Sequence, residues 1–382
     1  MRVCHVIVSD RAWGAFRVVA ALAKFQARRA DVTVAMNQEL LPLLAHNTVS
    51  LKTLLMPLGS PFTWPKKFGY LGFAGRAWVS GRLLSRYVAT NGVDVLHLHF
   101  PNSLFLAAMT RVHICKVATV YGPFFESPVF AKLGSLLANL GFRGVSAVTV
   151  VNPDLIPYLR DKLSIKSVKR VLYVPYGVDL ESLRRLSSEP LPGPLLERLM
   201  RVKSSGFPIL CFVGRLEARK GPDLLLRALP LLKKEYPRLL CIFVGDGPLM
   251  EQLKNLSKLL DVDDVVLFVG FQANPYNFMK YADVVLANLR ANLREPGLPV
   301  LEALALRKLV VTRYDEAKSR MLHNYVVYNW TDDATSVAQA VRAALAKLKS
   351  GDYECDFDRI RIPSWEDLAD AYLELYHSVL GR

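Results

Sequence analysis

The sequence predicts an α/β protein of two domains, each built on a doubly wound parallel sheet. Three observations predict it: apolar strand-like runs alternate with amphipathic helix-like segments, the alternation recurs in the second half, and a Ser/Pro/Gly-rich segment separates the halves. The chain has 382 residues, of which 52% are hydrophobic. That length exceeds what one core of ordinary size usually fills, so two cores are expected.

The strand-like runs of the first half are continuously apolar. Strands that are apolar on both faces belong to a sheet covered on both sides, which calls for parallel strands joined by helices. We predict strands over 2–8, 31–36, 94–99, 116–120 and 147–151, and a helix over 16–28.

The second half repeats this order, and a further helix ends the chain. We predict strands over 209–213, 239–244, 265–269 and 283–287, and helices over 222–235 and 249–260. Ser364 is a suitable N-cap residue, and the amphipathic pattern that follows it predicts a helix as far as Leu380.

A segment rich in Ser, Pro and Gly over 186–194 interrupts the periodicity and suits a linker. It divides the chain into two domains and a terminal helix. We predict an N-terminal domain over 1–187, a linker over 188–194, a C-terminal domain over 195–362 and the terminal helix region over 363–382.

Bulk composition excludes several classes of protein. The first residues lack the pattern of a signal peptide, and no window reaches the roughly 18 apolar residues of a spanning helix. The five cysteines are far apart, which favours neither a disulfide framework nor a metal site. We therefore expect a cytoplasmic protein, either soluble or peripheral at the inner face of a membrane.

The excess of positive charge lies almost entirely in the first half. The net charge is +15, of which residues 1–190 carry +13 and residues 191–382 carry +2. Residues 64–86 mix aromatic side chains with Lys and Arg, which is typical of a segment that meets anionic lipid headgroups. A helix packed inside the domain with a solvated basic face is the alternative. Nucleic acid is not expected, because no recognised binding module is present.

Loops that follow strands are the candidate sites, because open α/β sheets bind ligands beyond the carboxyl ends of their strands. The loop over 214–223 places Arg215 and Lys220 just before a helix that begins at Pro222. Cations beside a helix N-terminus favour an anion such as a diphosphate. Ordinary solvated cations are the alternative interpretation.

A second loop follows the strand predicted over 283–287. Glu295 and Glu302 bracket an apolar segment, Gly297 allows close backbone approach, and we expect Glu302 in the first turn of a helix. Carboxylates accept hydrogen bonds from sugar hydroxyls, although a glutamate at a helix start often serves only the helix dipole. Together the two loops predict one pocket for a sugar diphosphate.

Motifs in order along nearly the whole chain resemble those of the family-4 retaining glycosyltransferases of the GT-B fold. The resembling segments include Val174-Pro-Tyr-Gly-Val-Asp179, Phe212-Val-Gly-Arg-Leu-Glu-Ala-Arg-Lys-Gly221, Val244-Gly-Asp-Gly-Pro-Leu249 and Pro299-Val-Leu-Glu-Ala-Leu-Ala305. The resemblance implies two Rossmann-like domains facing across a cleft. The donor would bind in the C-terminal domain and the acceptor in the N-terminal one, with the last helix crossing back.

The resemblance also implies a role for each matched residue. Arg215 and Lys220 would grip the donor diphosphate in place of a metal ion, so neither metal nor cofactor is expected. Glu302 would hold the nucleotide ribose. The predicted catalytic residues are Arg215, Lys220 and Glu295; the donor-binding residues are Gly14, Gly214, Gly270, Phe271, Gly297, Leu298 and Glu302; and the acceptor or sugar contacts are Tyr121 and His99.

The sequence departs from the family pattern in several places. An ungapped match puts Arg294, and not Glu295, at the position of the family's first glutamate. Tyr121 stands where a histidine near the transferred sugar is expected; its hydroxyl can form hydrogen bonds but cannot act as a base at pH 7. Residues 307–309 and 314–318 replace the usual Gly-Lys-Pro and Gly-Gly elements.

Three histidines lie in the first-half strands. His97 and His99 alternate at a strand end, where a structural role is favoured over a metal pair because no third ligand is close in sequence. His5, on the first strand, is interpreted as a core histidine with satisfied hydrogen bonds.

The sequence thus predicts a retaining, metal-independent glycosyltransferase that moves a sugar from a nucleotide diphosphate sugar to a membrane- or lipid-linked glycan. Expected partners are the nucleotide sugar, the glycan or lipid-linked acceptor, and an anionic membrane surface that meets the basic N-terminal domain. A catalytically silent GT-B scaffold or binding subunit of a partner glycosyltransferase is the alternative, and a nucleotide-sugar epimerase is a third hypothesis.

Overall fold

The computed structural model describes most of the chain and divides it into two compact units. Unit 1 comprises Met1–Gly177 and Pro363–Arg382, and unit 2 comprises Val178–Ile362. The described residues are 1–8, 13–41, 51–57, 69–99, 103, 106, 110, 112–122, 141–162, 168, 170–290, 297–315, 322, 326–351 and 362–381.

Unit 1 contains a seven-stranded parallel sheet in the order β3-β2-β1-β4-β5-β6-β7. Its strands are β1 (Arg2–Ile7), β2 (Asp31–Asn37), β3 (Lys52–Met56), β4 (Val95–His99), β5 (Cys115–Val120), β6 (Ala147–Val150) and β7 (Val171–Tyr173). Its first helices are α1 (Trp13–Gln26) and α2 (Gly69–Asn91), and helical turns follow at Gln38–Leu40, Leu155–Pro157 and Tyr158–Lys162. The central strands are buried along their length, as continuous apolar runs require.

Unit 2 contains a six-stranded parallel sheet in the order β10-β9-β8-β11-β12-β13. Its strands are β8 (Ile209–Val213), β9 (Leu240–Val244), β10 (Val266–Gly270), β11 (Val284–Leu286), β12 (Leu309–Arg313) and β13 (Val326–Asn329). Its helices are α3 (Leu180–Ser187), α4 (Gly193–Ser204), α5 (Pro222–Lys233), α6 (Met250–Leu259), α7 (Tyr276–Tyr281), α8 (Leu298–Ala305) and α9 (Ala334–Ser350), with 3-10 turns at Ala218–Lys220 and Asp263–Val265.

The last helix, α10 (Trp365–Leu380), belongs to unit 1. Ser364 and Asp367 form a capping box at its start, as the N-cap prediction requires. The helix packs on α1, and Arg29 forms ion pairs with Glu366 and Asp370 of this helix. The chain therefore completes its first unit with its final residues.

The two parallel sheets confirm the predicted fold class. Every strand and helix predicted within the described residues is present, with ends that differ by at most a few residues. The contacts place the division between units at residues 177 and 178, whereas we predicted it ten residues later. Residues 188–194 lie inside unit 2, where 193 and 194 already begin α4. None of the helices formed by described residues is both long and apolar enough to cross a membrane.

Candidate functional site

The loop after β8 carries the first group of predicted site residues. Gly214 has a positive φ of 152°, and the chain then passes through the 3-10 turn at Ala218–Lys220 to Gly221, whose φ is 72°. Pro222 occupies the first turn of α5, where its missing amide hydrogen costs nothing. The loop thus places Arg215 and Lys220 between a strand end and a helix N-terminus, as predicted.

Backbone packing against the loop after β9 holds this loop in shape. Leu216 donates its amide hydrogen to Asp246, and Leu249 donates its own to Leu216, at 3.0 Å each. A Cβ atom on Gly245 would lie 1.9 Å from the Gly214 carbonyl oxygen, and one on Gly247 would lie 2.4 Å from that of Leu216. Glycine is required at both positions because the two backbones touch.

Arg215 is partly exposed and has one ion-pair partner among the described residues. Its Nε atom lies 3.4 Å from Glu217 Oε2, and 32% of the side chain is exposed. Glu217 also accepts from Arg219 at 2.5 Å. One carboxylate therefore serves two guanidinium groups, and the local charge remains positive.

Lys220 is held by a residue that our sequence reasoning missed. Its ammonium nitrogen donates to Asn288 Oδ1 at 2.8 Å. Asn288 is 3% exposed, lies just after β11 and has a φ of 54°, a conformation that asparagine tolerates better than most residues. Its carbonyl oxygen accepts from the Arg313 amide at 3.0 Å and from the Thr312 hydroxyl at 3.2 Å. The signal in the sequence that could have identified Asn288 was its position directly after a predicted strand.

Glu302 lies in α8, in the second turn of the helix and not in the first, so our placement of it in the first turn was wrong. Pro299 occupies the first turn, and α8 begins at Leu298, which puts four helical residues ahead of Glu302. The side chain is 3% exposed, and its Oε1 atom accepts from the Tyr276 hydroxyl at 2.9 Å. Tyr276 is a second residue that sequence reasoning missed.

Gly297 and Leu298 lie at the start of the helix that carries Glu302, and Gly297 lies next to the asparagine that holds Lys220. Gly297 has a φ of 73°, and a Cβ atom there would lie 2.8 Å from Asn288 Nδ2. The glycine therefore leaves room for the asparagine that holds Lys220, and Leu298 beside it is 8% exposed. Glu295 and Arg294 lie outside the described residues.

Gly270 and Phe271 lie at the end of β10. Gly270 has a φ of 70°, and its carbonyl oxygen accepts from the Gly245 amide at 2.9 Å. Phe271 is 48% exposed. An exposed ring at a strand end can stack on a planar group such as a nucleotide base.

Gly14, the last predicted donor-binding residue, belongs to unit 1. The structure places it as the second residue of α1. We expected it in the loop before that helix; in its observed position its amide is one of those that a helix N-terminus leaves without an intrahelical partner.

Tyr121 and His99 are joined by a hydrogen bond in unit 1. The Tyr121 hydroxyl lies 2.7 Å from His99 Nδ1, and the Tyr121 ring stacks on that of Tyr176 with centroids 6.4 Å apart. His99 is 1% exposed, whereas Tyr121 is partly exposed. We therefore keep the prediction of ligand contact for Tyr121 and assign His99 to holding its hydroxyl.

His5, His97 and His99 form a buried cluster at adjacent strands. Their candidate ligand nitrogens lie within 4.8 Å of one another, an arrangement that could hold a metal ion. Burial lowers the pKa of His5 to about 4, and burial together with the neighbouring histidines lowers the pKa values of His97 and His99. All three rings are therefore neutral at pH 7.

The hydrogen bonds of the cluster do not favour a metal. His5 Nδ1 lies 2.9 Å from His99 Nε2, and every other ring nitrogen of the three residues also has a partner within 2.7 Å. A metal ion would have to displace several of these bonds, whose loss in a buried site is costly. Among the described residues, the geometry fits a satisfied polar network.

Two family descriptions match this chain in succession. "Glycosyltransferase Family 4" matches residues 13–182, and "Glycosyl transferases group 1" matches residues 200–353. The first covers most of unit 1, and the second covers the part of unit 2 that carries Arg215, Lys220 and Glu302.

Curated relatives are similar over parts of their length. An uncharacterized glycosyltransferase of Methanocaldococcus jannaschii is 31% identical over 38% of this chain and 35% of its own. A D-inositol 3-phosphate glycosyltransferase of Saccharomonospora viridis is 30% identical over 61% of this chain and 56% of its own. A phosphatidyl-myo-inositol mannosyltransferase of Mycolicibacterium smegmatis is 27% identical over 78% and 75%. The chain thus spans about a third and just over half of the first two relatives.

Solved structures share the fold over the whole chain. A glycosyltransferase of Rickettsia africae superposes with a TM-score of 0.75 at 17% identity, covering 99% of this chain and 98% of that one. The Anabaena protein HepE, solved in complex with UDP and glucose, superposes with a TM-score of 0.73 at 16% identity, covering 99% and 100%.

Proposed function

Because this chain belongs to the family-4 glycosyltransferases of the GT-B fold, we propose that it moves a sugar from a nucleotide diphosphate sugar to an acceptor hydroxyl. The observation that carries the proposal is the placement of Arg215 and Lys220 at the carboxyl end of β8, beside the N-terminus of α5. Two cations and a helix N-terminus suit a diphosphate.

The chemistry assigned to these cations is stabilisation of the leaving group. As the bond from the sugar to the diphosphate breaks, negative charge grows on the departing oxygen, and Arg215 and Lys220 offset it without a metal ion. The acceptor hydroxyl attacks from the leaving-group side, and the departing phosphate oxygen takes its proton. This front-face route retains the configuration of the transferred sugar.

The remaining donor contacts are assigned by position. Glu302 accepts hydrogen bonds from ribose hydroxyls, and Tyr276 fixes its carboxylate by donating to Oε1 at 2.9 Å. The base lies near Gly270 and Phe271, at the end of β10. Tyr121 contacts the transferred sugar or the acceptor.

The acceptor proposed is a lipid-linked glycan reached at the inner face of a membrane. Relatives include a phosphatidyl-myo-inositol mannosyltransferase and a phosphatidylinositol monomannoside mannosyltransferase. In unit 1, Trp78, Val79 and Leu83 of α2 are 49%, 42% and 38% exposed. The Arg82 guanidinium lies 4.2 Å from the Trp78 ring centroid, and α2 contains no acidic residue. Exposed apolar groups among arginines suit an anionic headgroup layer.

A screen of nucleotide sugars tests the transfer. Unfolding of the full chain is followed by heating with UDP-, GDP- and ADP-linked sugars, because a ligand that binds the folded state raises the midpoint. The sugar that protects is then incubated with phosphatidylinositol acceptors with and without a chelator, and the anomeric configuration of the product is determined by NMR. A retained anomer formed equally with the chelator supports the proposal; an inverted product or one lost with the chelator contradicts it.

Vesicle sedimentation tests the membrane surface. We expect the chain to sediment with phosphatidylglycerol vesicles, to release in high salt, and to stay in solution with phosphatidylcholine alone. Replacing both Trp78 with Ser and Arg82 with Gln should weaken sedimentation, whereas replacing the partly exposed Arg342 of unit 2 with Gln should not. Equal binding to neutral vesicles would contradict an electrostatic contact.

A further inference from the structure

A polar network in the core of unit 1 converges on one amide side chain. Gln26 is the last residue of α1 and is fully buried. Its carbonyl oxygen lies 2.7 Å from His5 Nε2, and its amide nitrogen donates to the Tyr376 hydroxyl of α10 at 3.4 Å. The amide oxygen can only accept a hydrogen bond and the amide nitrogen can only donate one. His5 must therefore donate to Gln26, whereas Tyr376 must accept from it.

The carbonyl oxygen of Gln26 fixes the direction of each hydrogen bond along the first arm of the network, which runs through His5 and His99 to Tyr121. His5 Nε2 must carry the proton that Gln26 Oε1 accepts, which leaves Nδ1 of the neutral His5 ring as an acceptor. His99 then donates from Nε2 to His5 Nδ1 at 2.9 Å, so His99 Nδ1 is in turn an acceptor. The Tyr121 hydroxyl, 2.7 Å from that atom, has to donate to it.

The amide nitrogen of Gln26 fixes the hydrogen-bond directions along the second arm, which runs through Tyr376 and His97 to Thr119. The Gln26 amide nitrogen cannot accept the Tyr376 hydrogen, so the buried Tyr376 hydroxyl donates it to its other partner, His97 Nδ1, at 2.6 Å. His97 is therefore protonated at Nε2 and donates to Thr119 Oγ1 at 2.7 Å. Among the described residues the two arms meet only at Gln26, and both require the same histidine tautomer.

We infer that Gln26 locks His5, His97 and His99 in the Nε2–H tautomer and thereby makes Tyr121 a fixed hydrogen-bond acceptor for the ligand. The single hydrogen of the Tyr121 hydroxyl is committed to His99, and among the described residues no other group bonds to that oxygen. Tyr121 can offer a ligand only the lone pairs of its oxygen. On the proposed function, it selects a sugar that presents a hydroxyl group as a donor at this position.

Neutrality of the groups supports this assignment. Burial lowers the pKa values of the three histidines, and burial together with neighbouring tyrosines raises the pKa of Tyr121 well above its ordinary value. No member of the first arm gains or loses a proton near pH 7. The direction of each bond is then set by connectivity, as in other buried networks.

NMR of the full chain without substrate tests the tautomers directly. With 15N-labelled histidine at pH 7, the ring nitrogen shifts should show Nε2 protonated and Nδ1 unprotonated in His5, His97 and His99. Protonation at Nδ1 in these rings would overturn the inference, because it would mean that Gln26 is oriented the other way. Shifts of a metal-bound nitrogen, lost with a chelator, would overturn it as well.

Replacement of Gln26 tests whether this side chain sets the histidine tautomers in both arms. Gln26→Met retains the volume but removes both ends of the amide, so the ring shifts should move towards a mixture of the two tautomers. Fixed Nε2–H shifts in a folded Gln26→Met chain would contradict control by Gln26. If that variant does not fold, the wild-type spectrum still decides the tautomers.

Substituted sugars test the consequence for Tyr121. At one sugar position, replacing the hydroxyl by hydrogen or by fluorine should lower turnover equally, roughly three- to tenfold, because neither can donate. Tyr121→Phe should lose a similar factor and no longer distinguish these sugars. A fluoro sugar that retains activity at that position would show that Tyr121 donates. The NMR result does not depend on transfer, so failure of this inference and failure of the proposed function are distinguishable.

Discussion

The Lys220 ammonium donates a hydrogen bond to Asn288 Oδ1 at 2.8 Å, which ties the loop after β8 to the end of β11. The Leu289 amide reinforces the tie by donating to the Lys220 carbonyl oxygen at 3.0 Å. Lys220 is therefore a positioned cation, aimed by a buried side chain with a neutral acceptor. The amide oxygen of Asn288 orients the ammonium without adding a negative charge of its own.

Asn288→Asp should weaken nucleoside diphosphate binding about tenfold or more. The replacement retains the shape and tolerates the φ of 54°, but it adds a carboxylate that competes with the phosphates for Lys220. Calorimetric titration with the nucleotide that the screen identifies measures the loss. In a Lys220→Gln background the same replacement should have a much smaller effect, and additive losses would contradict the coupling.

Arg215→Ala and Lys220→Ala should each lower turnover roughly a hundredfold or more, because on the proposed function each removes a cation that stabilises the leaving group. Steady-state kinetics with the identified nucleotide sugar provides the measurement, and unchanged circular dichroism shows that the fold is intact. Arg219→Ala is the matched control: this cation lies in the same loop, is 59% exposed and pairs with Glu217. Near wild-type turnover of the Arg215 or Lys220 variant would overturn their assignment.

Glu302→Gln should raise the donor KM and lower the preference for ribose over deoxyribose nucleotides. The carboxylate accepts two hydrogen bonds more readily than an amide oxygen that stands beside an NH2 group. Competition by UDP, GDP or ADP and by the corresponding deoxy nucleotide measures the preference. If both forms lose affinity equally, the carboxylate has a structural role and is not a ribose ligand.

Gly245→Ala should lower the free energy of unfolding by at least about 2 kcal/mol. The new Cβ atom would lie 1.9 Å from the Gly214 carbonyl oxygen, so the loop that carries Arg215 must move. Gly193→Ala is the control, since no atom of the described part of the chain lies within 4 Å of a Cβ built there; we expect a change within about 0.5 kcal/mol. Urea unfolding measures the free energy of unfolding of both variants. Equal values for the two would contradict the backbone contact.

Acidification should destabilise the chain through its buried histidines. The pKa of His5 is about 4 in the folded chain and near the ordinary 6.5 when unfolded, so between these values the unfolded state binds more protons. The free energy of unfolding should therefore fall as the pH drops from 6.5 to 4, by on the order of 3 kcal/mol for His5 alone. Urea unfolding across this range should show a smaller slope in His5→Gln. A slope in His5→Gln that is identical to that of the wild-type chain would contradict the assignment.

The fold could be predicted because the pattern of apolar residues determines it. Continuous apolar strands such as β8 and β9 are buried along their whole length, and their alternation with helices permits only a covered parallel sheet. Ser364 predicted the start of α10 because capping is a local interaction. Contact of α10 with unit 1 was not derivable from such local signals, and only the family resemblance implied it.

The candidate site was predictable in part. Arg215 and Lys220 follow a strand and precede a helix, so their common location needs no knowledge of long-range contacts. Asn288 lies 68 residues from Lys220 and Tyr276 lies 26 residues from Glu302, and such pairings depend on the register of the sheet. The histidine network was missed because its members come from α1, β1, β4, the end of β5 and α10, with no motif in sequence.

Binding of a nucleoside diphosphate is the central claim, and calorimetric titration of the full chain with UDP, GDP and ADP tests it most directly. We predict that one of the three binds without added metal ion and that Lys220→Ala weakens this binding at least tenfold, while Arg219→Ala does not. No binding of any of the three to the folded wild-type chain would contradict the claim and favour a catalytically silent scaffold.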